Sequence, residues 1–106
     1  MSGSKIITGD EGLLDNVHPG AILREDFLIG SEIPLDEVCA GAGIDLERLQ
    51  AVLSEAEPVD ANIDLRLARY FGMSEGFFLG LQIDFDLEEE RRAHGEELSR
   101  ITRRAA

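Results

Sequence analysis

Three groups of side chains in this sequence are of types that do chemistry: one thiol, Cys39; two imidazoles, His18 and His94; and the alternating acids Asp84, Asp86 and Glu88. A nucleophilic cysteine needs a base beside it, and helical spacing brings no histidine near Cys39, whose small size suits a close helix crossing instead. Neither histidine has a second ligand at a recurring spacing, so no metal centre is expected. The three acids imitate the start of a calcium loop, but the glycine such a loop requires is missing and the run continues as helix. With no nucleophile paired to a base and no glycine-rich phosphate loop, no enzyme activity and no cofactor are expected.

What remains is hydrogen-bonding chemistry, and it is concentrated in GIDLERLQAVLSEAEP at 43–58. The amide of Gln50 can pair with the edge of adenine, and the carboxylate of Glu47 can accept from the amino group of cytosine. Were this helix to enter a major groove, Asp45, Leu46, Glu47, Gln50 and Ala51 would point at base edges, with Arg48 and Ser54 nearer the phosphates.

Such residues need elements that hold them. His18-Pro19-Gly20 opens a helix, since proline is tolerated in the first turn, and Ile22, Leu23, Phe27 and Leu28 recur at helical spacing until Gly30 and Ser31. Pro34 starts a second helix with Leu35, Val38 and Ala42 on one face; Gly43 closes it where the backbone needs a positive φ. Asp45 is placed to cap a third, in which Leu46, Leu49, Val52 and Leu53 recur at three and four, and Pro58 prevents its continuation. Val38, Cys39, Ala42, Gly43, Ile44, Leu49 and Val52 thus form the packing and turn positions of a helix-turn-helix over about 34–55.

Asp60 is placed to cap a fourth helix that Gly72 ends, Ser74 to cap a fifth, short and aromatic, and a long solvated helix is expected over about 86–104. Acids at 84–90 and Arg100, Arg103 and Arg104 at its far end suit its dipole. Phe71, Phe77, Phe78 and Phe85 are expected in the core, with any part left uncovered serving as a dimer surface. No stretch alternates as a strand does, so the class is all-α: one helical domain over 18–106, a helix-turn-helix bundle with an extra long C-terminal helix, preceded by a flexible arm over 1–17.

On HPGAILREDFL at 18–28, the turn at Gly43, LRLARYFGMSEGFFLGLQ at 65–82 and DFDLEEERRAHGEEL at 84–98, the chain resembles the HigA-type antitoxins of addiction modules, within the XRE or lambda-repressor-like group. The resemblance implies a DNA-binding bundle of five or more helices. It also implies a homodimer that represses its own operon by binding operator DNA and neutralises a small ribonuclease toxin encoded beside it. The chain departs from the family's habit at Pro34, where a serine or threonine cap is usual, and at SEAEP, where a basic, glycine-containing loop is usual.

Charge sets a second reading against the first. Of 106 residues, 22 are acidic and ten basic, for a net charge of -12. Residues 1–65 hold 14 acids and only three bases, Lys5, Arg24 and Arg48, while residues 66–106 hold eight acids and seven bases. DNA affinity comes largely from Lys and Arg contacts to phosphate, so such a surface also fits an acidic protein-interaction module that meets a basic partner with weak or no DNA binding. Neither reading involves a membrane: the apolar runs are short and no signal segment is recognisable. A single cysteine fits a reducing cytoplasm.

Overall fold

The computed structural model of the chain describes residues 14–105; all but the last four residues of the expected arm lie outside the described residues. His18 sets the first helix: its backbone is extended, its Nδ1 accepts the Gly20 N–H at 2.9 Å, and Pro19 fills the first turn. Helix α1 (Pro19–Ile22) runs directly into a wider π-helical segment, Leu23–Ile29, in which N–H groups reach five residues back, as from Gly30 to the Glu25 carbonyl. That register lets Leu23 and Leu28, five apart, both turn inward.

Helix α2 (Leu35–Ala42) ends at Gly43, whose φ of +70° is a left-handed conformation that glycine adopts without strain. After Ile44 and Asp45 comes α3 (Leu46–Leu53). Helix α4 (Ala61–Phe71) is capped by Asp60, whose Oδ1 accepts the Ile63 N–H at 2.9 Å.

The end of the chain corrects two expectations. No short aromatic helix starts at Ser74 and no separate helix starts at Asp86: a single helix, α5 (Phe77–Ser99), spans both. No proline interrupts the run, and Phe78 and Gln82 anchor its first turns in the interior, so the polar residues that follow simply extend it. It departs from helical geometry at His94, beside Gly95, and stops at Ser99, short of the expected 104; Arg103 and Arg104 lie beyond it. From Glu89 onward its side chains are exposed.

Leu23, Val38, Leu49, Val52, Ile63, Leu67 and Phe78 are at most 1% exposed and form the centre of the core, each stabilising the fold by about 1.5–3 kcal/mol relative to exposure. Of the four phenylalanines expected inside, Phe78 alone is fully buried; Phe71 and Phe85 are half-buried, and Phe77 stays at the surface with its edge against Phe78. The closest helix approaches are made by glycines. A Cβ on Gly20 would stand 2.0 Å from the Val52 carbonyl oxygen, and one on Gly41 would stand 2.2 Å from the Tyr70 ring. Cys39, expected at such a crossing, packs half-buried at the edge of the core.

Candidate nucleic-acid interface

Helices α2 and α3 are joined by the sharp turn at Gly43 and Ile44. Val38, Ala42 and Ile44 are buried on one side of it, Leu49 and Val52 on the other, which locks α3 against the bundle by its inner face. Asp45, Leu46, Glu47 and Gln50 are therefore left on the outside, with Leu46 49% exposed, and Ala51 is half-buried among them. These five expected base-facing positions share the outer side of one short helix.

The polar groups of this helix are only partly available. Asp45 occupies the cap position of α3, yet, contrary to expectation, its side chain makes no capping bond and stays exposed. Ser54 donates its hydroxyl back to the Ala51 carbonyl at 3.2 Å. Arg48 is held by Asp60, Nη2 to Oδ2 at 2.5 Å, while its Nε is buried with no partner among the described residues. The Ile63 N–H and the Arg48 guanidinium together hold the Asp60 carboxyl below the usual carboxylate range, against the opposing effect of burial. Gln50 thus stands out as an exposed amide on the outer face.

Two further arginines, which the sequence did not assign, fix the frame. Arg66 on α4 reaches back to the turn: its Nη1 donates to the carbonyls of Ala42 at 3.3 Å and Gly43 at 3.1 Å, and its Nε to Asn62 Oδ1 at 3.0 Å. A Cβ on Gly43 would come within 2.8 Å of that Nη1, the movable end of a long side chain, so it is the positive φ that calls for glycine there. Arg24 donates to the Leu53 carbonyl at the end of α3 and pairs with Glu55 at 3.7 Å. Glu55 itself sits at φ +69°, a conformation that favours glycine. The loop after α3 therefore carries an acid, neutralised from behind, where the resemblance leads one to expect glycine and basic residues.

Cys39 gives no chemistry: burial first, then the carboxylates of Asp36 and Asp45, push its thiol pKa up, away from the reactive thiolate. Among the described residues no group of three or more His, Cys, Asp or Glu is placed to hold a metal ion.

Two helices crossing at a glycine turn, the second with its outer face bare, define a helix-turn-helix protein. No family model matches the chain. It is 31% identical over 72 residues to virulence-associated protein I of Dichelobacter nodosus, which covers 68% of this chain and 67% of that protein. Among solved structures it is similar to a Pseudomonas aeruginosa protein in complex with its 18-base-pair operator DNA (TM-score 0.79, 27% identity, 85% of this chain and 96% of that one). It is equally similar to the antitoxin GraA in complex with its operator (TM-score 0.78, 30% identity, 88% and 95%) and to an addiction-module antidote protein of the HigA family from Coxiella burnetii (TM-score 0.78, 27% identity, 86% and 100%). The chain belongs to the HigA-type antitoxin family of lambda-repressor-like helix-turn-helix proteins.

Proposed function

We propose that this chain is the DNA-binding antitoxin of a toxin-antitoxin module, and that it represses its own operon by laying α3 in the major groove of an operator. The observation that carries this is the free outer face of α3 on a buried helix-turn-helix frame, in a chain similar over more than four-fifths of its length to two proteins solved with their operators. Those neighbours favour DNA as partner over the acidic protein-interaction reading. Gln50 reads a base edge, Glu47 selects cytosine, and Asp45, Leu46 and Ala51 complete the contact face. The partner neutralised by the protein is a basic ribonuclease.

The acting species is a twofold dimer, which matches a repeated half-site. Its contact lies on α5, where Ile83 and Leu87, one turn apart, are each 49% exposed. Light scattering coupled to size exclusion is expected to give twice the chain mass, and a monomer at working concentration would remove this part of the proposal. The main test is binding to labelled DNA from upstream of its own gene, at low and physiological salt, against random competitor. Specific binding that survives physiological salt is expected; equal affinity for random DNA would overturn the repressor reading.

A further inference from the structure

Between the first turns of α3 and α4 lies a cleft of about 160 Å³, lined by Gly43, Asp45, Arg48, Asn62 and Arg66. It brings two guanidinium groups, from helices that are separate in sequence, to one opening. Arg66 spends its Nη1 and Nε on the turn carbonyls and on Asn62, and has no bond from Nη2 among the described residues. Arg48 contributes the buried Nε that lacks a partner, a group that costs free energy until an acceptor reaches it. Among the described residues the acceptor on Arg48 is Asp60, and Asp60 divides its work: Oδ1 caps α4 through Ile63, while Oδ2 takes the guanidinium. Arg48 can therefore leave Asp60 without uncapping α4.

We propose that this cleft seats one phosphate of the DNA backbone, contacted by Arg48 and Arg66, and that Asp60 occupies the phosphate's place on Arg48 in the free protein. The inference rests on the DNA-binding reading. It answers the scarcity of cations on this half of the molecule: Arg24 is committed to Leu53 and Glu55, so the cleft supplies two further guanidinium groups beside the reading helix. The two acids beside it, Asp45 and Asp60, balance the two arginines until a phosphate displaces one carboxylate oxygen. The phosphate contact of Arg48 is then made only by exchange, which lowers affinity for DNA of any sequence and leaves discrimination to the base-facing residues.

The test is a double-mutant cycle on DNA affinity, measured on the upstream fragment and on random duplex between about 50 and 200 mM salt. Asp60→Asn keeps a good helix cap and removes the charge that restrains Arg48. It is expected to tighten binding by about 1.4- to fivefold, the range of an exposed ion pair, with an unchanged salt slope. In an Arg48→Gln background the same substitution is expected to do nothing, and Arg48→Gln alone makes the slope of log K against log salt shallower by about 0.9. Arg66→Gln is expected to do likewise, with Arg66→Lys restoring the slope; thermal melts by circular dichroism confirm that each variant is folded. A gain from Asp60→Asn that persists without Arg48 means simple charge removal and overturns the proposal, as does no gain. Because phosphate contact is independent of sequence, a wild type without operator preference removes the repressor reading while the cycle on random duplex still decides the cleft. No binding to any DNA by wild type and Asp60→Asn alike overturns both.

Discussion

Asp64 is 2% exposed, and both its oxygens are used: Oδ2 accepts the Gly76 N–H at 2.6 Å and Oδ1 the Leu79 N–H at 2.8 Å. A carboxylate on α4 thus caps the start of α5, whose own cap residue, Gly76, has no side chain to offer. Removing it strands two part-buried N–H groups, so Asp64→Ala is expected to cost about 2–3 kcal/mol in urea unfolding. Asp64→Asn, which keeps one acceptor, is expected to cost about half as much; equal and small losses would show that water replaces the carboxylate freely. Nothing in the sequence distinguished this aspartate from its exposed neighbours, because its partners lie 12 and 15 residues away and meet it only through the turn between α4 and α5. Arg66 was illegible for the same reason. Gln50, Glu47 and Asp45 were legible as outward-facing because their exposure follows from the period of one helix.

At the scale of elements, the helix-turn-helix was readable from local signals: Gly43 at its turn, the buried period of α3, and the cap at Asp60. The junction of α5 was not. Apolar residues thin out after Gln82, which suggested a new start at Asp86, but a helix needs a core only to anchor it and can run on into solvent through favourable pairs such as Glu88 with Arg92 at 2.8 Å. The tight crossings escaped the sequence too, since a glycine within a helix gives no hint of what it faces. They now order two substitutions. Gly20→Ala drives a methyl into the Val52 backbone, which cannot yield without moving α3, whereas Gly41→Ala meets the Tyr70 ring, a side chain that can turn. Gly41→Ala is expected to cost about 1–3 kcal/mol and Gly20→Ala more. The reverse order in denaturant midpoints would mean that α1, not the ring, is the part that gives.

Helix α1 also carries a proton-dependent joint. His18 must stay neutral at Nδ1 to accept the Gly20 N–H, and its ring lies edge-on to Phe85 with centroids 5.0 Å apart. Burial lowers its pKa below the ordinary 6.5, more than the carboxylates of Glu55 and Asp86 raise it. For a base whose folded pKa is lowered, the unfolded chain takes up the proton first, so the contribution is complete above the ordinary value and is lost as pH falls below it. Stability is expected to hold between pH 8 and 7 and to drop as pH falls below about 6.5. His18→Asn, an acceptor that does not titrate, removes that drop, and an identical pH profile in the two proteins would exclude the joint.

For the whole molecule the governing quantity is charge. A net charge of -12 on 106 residues repels itself. At about 10 mM salt the screening length is about 30 Å and spans most of the molecule; at about 150 mM it is about 8 Å and reaches only neighbours. Salt also weakens pairs such as Arg24 with Glu55 and Arg69 with Glu75, but exposed pairs of this kind contribute at most about 1 kcal/mol each. Relief of repulsion therefore wins, and the melting temperature of the free protein is expected to rise by a few degrees over that range. DNA affinity must move the other way, because each phosphate contact returns counterions to the solution. A melting temperature that falls with salt would mean that the ion pairs, and not the overall charge, set the stability of the free protein.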